Sequence, residues 1–261
     1  MTTRSQPRPF PAERAPVAVG RAERRQLSSE HPLPEASTRE RLVQAMGRAL
    51  QQRGLHGVGL SELLEQAQAP KGVMYHHFPG GKTELALAAI DAAVQQLCGA
   101  IDRAMHDQTD VATALEAWLR GAEARLSRSG FALGCPLAAV ALESGIADTA
   151  LRSALATGFA ALRERLAALL GTAGLSAARA NGLATLVLAA YEGALIQSRV
   201  AGDAAPMRAT AEALIDMVRA ECAGSGVRVP KLSAQQAVAP AKKADAKARP
   251  SPSTKTSIRH G

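Results

Sequence analysis

At 261 residues, with 47% apolar residues but only 3% aromatic ones and a formal net charge of +8, the chain has the size and apolar content for one or two cored domains. Alanine and leucine dominate, which favours helices, and no uninterrupted apolar run reaches the roughly 18 residues that span a bilayer. The start, MTTRSQPRPFPAERAPVAVG, lacks the apolar core of an export signal, and the three cysteines Cys98, Cys135 and Cys222 are too few and too scattered for a disulfide framework or a zinc site, so a cytoplasmic protein without metal, cofactor or membrane partner is expected.

Residues 1–36 mix Pro, Arg, Glu and Ser without periodicity and hold six Arg against four Glu; they are expected to be a disordered leader. The first helix then has a clear start. Ser37-Thr38-Arg39-Glu40 fits a capping box, and Leu42, Val43, Met46, Ala49 and Leu50 recur on one helical face. Gly54 and Gly57 end it. A short helix over about 60–67 carries Leu60, Leu63 and Leu64. Gln68-Ala69-Pro70 makes a turn, with Pro70 suited to the first turn of a second short helix over 71–78. Pro79-Gly80-Gly81 breaks the chain, and Lys82 opens a long helix to about Met105. Further helices are expected at 110–128, 136–145, 148–170, 176–200 and 206–222. No window shows the period-2 alternation of strands. Residues 223–261 hold eight Lys or Arg against Asp245 alone, in a Lys/Ala/Pro composition expected to stay disordered. Between the tails, 17 basic residues face 18 acidic ones, so the high pI belongs mostly to the ends.

The stretch PKGVMYHHFPGGK, from Pro70 to Lys82, carries the chemistry. A metal site on His76 and His77 is disfavoured, because adjacent helical positions point about 100° apart and no third ligand lies at i+4. No phosphate-cradling glycine loop, nucleophile elbow, H-E-x-x-H or paired-cysteine motif occurs, so an enzyme is not expected. A surface that touches an anion is left. Two short helices joined by a three-residue turn, behind a longer one, make a helix-turn-helix pattern.

GVGLSELLEQAQAPKGVMYHHFPGGKTELAL, Gly57 to Leu87, resembles the DNA-binding domain of the TetR family of one-component regulators. YHHFPGGK together with GCPLAAVALE (Gly134 to Glu143) resembles its LmrA/YxaF-like subgroup. The resemblance covers about 38–90 and continues more thinly to about 222. It implies an all-α protein: an N-terminal three-helix helix-turn-helix domain (37–82) followed by a six-helix ligand-binding and dimerisation bundle (83–222), with the leader (1–36) and basic tail (223–261) outside it. It also implies that the helix from Lys71 to His77 lies in the major groove of double-stranded operator DNA. Lys71 and Gly72 would stand closest to the bases and Val73 against a thymine methyl. Tyr75 and His76 would offer donors to phosphates, with Ser61 on the same surface, and Lys82 matches the family's phosphate-contacting lysine at a helix start. Met74 and Phe78 read as core, and His77 reads equally as core or contact. One departure stands out: Gln68-Ala69 replaces the family's usual Gly-Val. If that turn needs positive φ, a non-glycine there costs on the order of 1 kcal/mol.

For the larger half the resemblance implies a small-molecule effector cavity among the middle helices and a homodimer interface from the last two. Met105, Trp118, Cys135, Leu142, Glu143, Phe159 and Tyr191 are the candidate pocket residues, with Phe131 and Glu192 as neighbours. The scarcity of aromatics argues against a cage for a flat cation, unless Glu116, Glu143 or Glu192 is buried. Leu183, Leu186, Val187, Ala190 and Ala194 on one helix, and Leu214, Met217 and Val218 on the next, are the candidate interface. Cys135 at a helix start is read as a small buried residue in preference to a redox sensor. The long helix from Lys82 would couple cavity to DNA. The expected function is a repressor released by its effector. The competing expectation is an architectural DNA binder acting through its basic tail.

Overall fold

Ser37 starts the first helix as its pattern predicts: its hydroxyl accepts from the Glu40 N–H at 3.2 Å, and the Glu40 carboxylate accepts from the Ser37 N–H at 2.7 Å, closing the capping box. In the computed structural model, which describes residues 36–108 and 110–224, this helix, α1 (Thr38–Arg53), buries Leu42, Ala45, Met46, Ala49 and Leu50. The expected leader, apart from Ala36, and the expected basic tail, apart from Ala223 and Gly224, lie outside the described residues.

The next two helices are short: α2 (Leu60–Gln66) and α3 (Lys71–His77). Gln68 between them adopts φ +48°. Its N–H donates to Glu65 O and that of Ala69 to Leu64 O, each at 3.0 Å, the hydrogen-bond pair of a Schellman cap with a glutamine at the position glycine usually holds. Ala69 is buried beneath the turn. The Arg41 guanidinium straps it down, donating to Ala67 O at 3.1 Å, to Ala36 O at 2.9 Å and to Thr38 Oγ1 at 3.1 Å. Pro70 stands at the N-cap of α3, one residue earlier than the first-turn position expected.

Six longer elements follow. They are α4 (Gly81–Asp107), α5 (Val111–Arg128), α6 (Pro136–Glu143), α7 (Thr149–Gly171), α8 (Ala177–Ala201) and α9 (Ala205–Gly224). Asp110 caps α5 through the Thr113 N–H at 3.0 Å, Ser176 caps α8 through Arg179, and Gly202 ends α8 at φ +64°. Among the described residues there is no strand, so the all-α expectation holds, with three helices before Gly81 and six from it onward.

α4 is the spine. Its buried residues Leu85, Ala86, Ala89, Ile90, Ala93 and Ile101 pack against α1 near its start and against α5 and α7 further on. By length and composition it is apolar enough to cross a bilayer, and a third of that stretch is buried against the neighbouring helices. α7 packs on α8, α8 on α9, and α9 returns to α5, closing the bundle. α7 comes close enough to the spine that a Cβ at Gly158 would stand 2.7 Å from Val94 Cγ2.

Candidate functional site

The two short helices leave one face free. Met74 and Phe78 turn inward and are buried, which sends the remaining residues of α3 outward by helical geometry. Lys71, Gly72 and His76 are exposed, Val73 is half-buried, and Tyr75 is 43% exposed. Ser61 is exposed on α2. A Cβ at Gly72 would meet no atom within 4 Å, so an approaching backbone or base finds open space there. The face continues onto α4. Gly81 takes φ +70°, and a Cβ on it would lie 3.5 Å from Tyr75 Cε1, so the tyrosine ring lies over the start of α4, next to the half-buried Lys82. The Glu84 carboxylate accepts from the Gly80 N–H at 2.7 Å, but Lys82 and Thr83 are first-turn positions whose N–H groups have no intrahelical acceptor. A phosphate brought to this point would find free N–H groups, the positive end of a helix dipole and, within reach, the Lys82 and Tyr75 side chains. His77 is half-buried, its ring 5.3 Å from His76 and 6.5 Å from Phe78. Among the described residues no three metal-ligating side chains come together.

A second cluster joins this head to the bundle. The Glu143 carboxylate, at the end of α6, accepts from the Leu55 N–H at 2.6 Å and the His56 N–H at 3.0 Å, with His56 Nδ1 3.5 Å away. A side chain at Gly54 would run into that carboxylate. Beside it the Gly134 N–H donates to Gln51 O at 3.0 Å, and the Arg199 guanidinium of α8 reaches the Gln51 and Gln52 carbonyls. The Gln51 and Gln52 carbonyls at the end of α1 and the Leu55 and His56 N–H groups after it are therefore answered by Gly134, α6 and α8.

Next to this joint lies a cavity of about 290 Å³ between α4, α5, α6 and α8. Its wall includes Gln51, Gln96, Leu97, Arg103, Arg125, Leu126, Gly134, Cys135, Tyr191 and Leu195. Trp118 packs against Tyr191, ring centroids 4.7 Å apart, and lines an adjoining cleft of about 260 Å³. Burial pushes the Cys135 thiol and the Tyr191 hydroxyl far above their ordinary pKa ranges. The helix-start N–H groups of Leu137 and Ala138 pull the thiol down, but burial outweighs them. Glu192, the next residue along α8, holds both carboxylate oxygens away from solvent, and among the described residues neither oxygen has a hydrogen bond of good geometry. Burial pushes it up to about 7, and the Cys135 thiol beside it offsets only part of this.

Of the pocket residues expected from sequence, the structure brings Cys135 and Tyr191 together in this cavity and Trp118 into the adjoining cleft. Phe159 lies elsewhere, in an open cleft with Ile146 and Leu155, and Met105 packs at the edge of the core. Two expectations need correction. Leu142 is 82% exposed, because α6 is a single two-turn helix whose inner face is taken by Leu137 and Val140. Glu143 is committed to the backbone donors after α1. Glu116, weighed as a possible buried acid, forms ion pairs with Arg120 and Arg219 on the surface. Sequence reasoning missed Arg103, Arg125 and Arg199.

The interface candidates divide. Leu183, Val187, Ala194, Leu214 and Val218 are buried inside the protomer, where they hold α8 and α9 to the bundle. Leu186 is 48% exposed, while Ala190 and Met217 are half-buried. The free side of α8 instead carries Leu186, Ile196 and Val200, with Gly182, Ala189 and Gly193 at helical spacing between them.

Comparison with known proteins places the fold. The family description of bacterial regulatory proteins, tetR family, matches residues 42–89. The description of the LmrA/YxaF-like transcriptional regulator C-terminal domain matches residues 111–213. The HTH-type transcriptional regulator LmrA of Bacillus subtilis is 29% identical over 182 residues, spanning 70% of this chain and 97% of that protein. An uncharacterized HTH-type transcriptional regulator of Mycobacterium tuberculosis is 31% identical over 188 residues, spanning 70% and 95%. The crystal structure of regulatory protein TetR from Rhodobacter sphaeroides superposes with a TM-score of 0.65 at 27% identity, covering 69% of this chain and 98% of that one. Reduced Escherichia coli NemR, at TM-score 0.58 and 23% identity over 68% of this chain and 94% of that one, shares the fold.

Proposed function

Since the chain belongs to the TetR family of DNA-binding transcriptional regulators, in its LmrA/YxaF-like subgroup, we propose that it is a cytoplasmic homodimeric repressor that holds a palindromic operator and leaves it when a small molecule enters the cavity beside α4. The family consists of regulators, not enzymes. Residues 37–82 form the reading head and 83–222 the sensing and dimerising body.

The observation that carries this reading is the convergence of Tyr75 with the start of α4. Lys71, Gly72, Val73, Tyr75 and His76 share one accessible face, and Gly81 seats the tyrosine ring beside Lys82. The short helix supplies base-edge contacts, and the tyrosine and lysine fix its depth by holding phosphates. The dimer is supported by the exposed apolar stripe of α8 through Leu186, Ile196 and Val200, a feature that a lone protomer leaves in water. Two heads related by a two-fold axis would meet half-sites about 34–36 Å apart, one helical turn. Control passes through α4, which starts at the DNA face and walls the cavity, and through the joint at Glu143, whose neighbours Gln51 and Gly134 are themselves cavity residues. An occupant that changes how α6 meets the end of α1 changes the spacing of the heads. A coupling of about 1–3 kcal/mol alters DNA affinity roughly five- to 150-fold.

The test is binding of the full-length protein to the DNA upstream of its own gene, against a scrambled duplex of equal length, across a salt series. Clear preference at physiological salt, lost in Tyr75→Ala and Lys82→Ala, is the expected result. Equal binding to both duplexes would overturn it.

A further inference from the structure

Among the described side chains, the cavity wall holds two cations and no anion. Arg103 of α4 and Arg125 of α5 line the main cavity, and the same two side chains line the adjoining cleft at Trp118. They are placed by the same local device. Each follows a glycine by four residues: a Cβ at Gly99 would lie 3.3 Å from Arg103 Nη1, and one at Gly121 would lie 3.5 Å from Arg125 Nη1. Each guanidinium therefore lies back along its own helix in space that a side chain one turn earlier would fill, and two successive helices present their charge to one cleft. Among the described side chains no Asp or Glu lines either space. Among the side chains the structure describes, neither guanidinium is paired with a carboxylate, whereas Arg53, Arg120, Arg165, Arg179, Arg208 and Arg219 all are. The Arg125 guanidinium lies near the Tyr191 hydroxyl and favours its ionised form.

Both arginines are exposed, so water screens their mutual repulsion, and the pair of forks stays open to something negative that enters the cleft. The guanidinium fork matches a carboxylate in two parallel hydrogen bonds. Behind the arginines the wall turns apolar through Leu97, Leu126 and Leu195, the last two buried. We propose that the effector is an amphipathic organic anion, its carboxylate held at the mouth by Arg103 and Arg125 and its apolar body lying against the three leucines. This rests on the reading that the cavity is the effector site, and it names the chemical class that site takes.

The test uses the full-length protein and three probes of equal length: octanoate, octanol and octylamine, with butyrate and dodecanoate to bracket size. Trp118, the single tryptophan of the chain, reports occupancy by its fluorescence, and calorimetry gives the affinities. Octanoate is expected to bind roughly tenfold to a hundredfold tighter than octanol, with octylamine weakest. Arg103→Met and Arg125→Met are each expected to remove the advantage of the acid while octanol binding persists; that persistence, with helical circular dichroism, shows the variant is folded. Equal binding of acid, alcohol and amine, no binding by any of the acids, or an acid advantage that survives both substitutions would overturn the proposal. The same probes added to the protein bound to its upstream duplex separate the two readings. Release by octanol but not octanoate keeps the ligand-released regulator and removes the anion. Octanoate binding without release keeps the anion site and removes ligand control.

Discussion

Replacing Glu192 by glutamine tests what burial does to an acid whose only offsetting neighbour among the described residues is the Cys135 thiol. Burial raises this carboxyl from 4.5 to about 7, so between those values the folded chain keeps a proton that the unfolded chain has released. Stability therefore falls as pH rises from about 4.5 and reaches its full loss above about 7, because the unfolded state binds fewer protons throughout that window. At 1.36 kcal/mol per pKa unit, the shift amounts to about 3 kcal/mol. Glutamine keeps the shape and removes the charge, so Glu192→Gln should exceed the parent by up to about 3 kcal/mol at roughly pH 8 and by little below roughly pH 5. Urea unfolding at both pH values, at one fixed protein concentration because assembly adds to apparent stability, provides the comparison. A difference between parent and variant that does not change with pH would refute the reasoning. So would a variant that is less stable at the higher pH.

Two further changes test the head and its joint. Gln68→Gly should raise stability by about 1 kcal/mol, since glycine adopts the observed φ of +48° without the steric cost a glutamine bears; an unchanged or lower melting temperature would show that the turn is not strained. Glu143→Gln exchanges a charged acceptor of two backbone N–H groups for a neutral one and should cost about 1–2 kcal/mol, read by the same unfolding assay, with no loss predicted if the contact is only a surface encounter.

What the sequence makes legible here is local. The capping box at Ser37 and Glu40 needs residues three apart, and the positive φ at Gln68 was signalled by the missing glycine of the turn. Core positions of α3 followed from its period. The harder cases are helices apolar on several sides. α8 carries apolar residues nearly all round, so Leu183 and Val187 look as available to a partner as Leu186 and Ile196, and only the placement of α7 and α9 shows which side is free. Glu143 was unreadable for another reason: its partners Leu55 and His56 lie 88 and 87 residues upstream, and a carboxylate at a helix end gives no sign of a distant loop. Arg103 and Arg125 carry no signal in the sequence taken alone. Their meaning lies in a repeated spacing, glycine then arginine four residues on, which gains sense only once α4 and α5 share a wall.

The burial of Cys135 turns that wall into a clock. A thiol held far above its ordinary pKa and shut away from solvent reacts with an alkylating reagent only in moments when the start of α6 lifts. With Cys98 and Cys222 replaced by serine, one sulfur would remain, and the rate at which it labels would count those openings. Anything that seats itself against Gly134 and Tyr191 would lengthen the interval between them, and the factor by which it does so is a measure of binding that requires no DNA and no knowledge of the gene controlled.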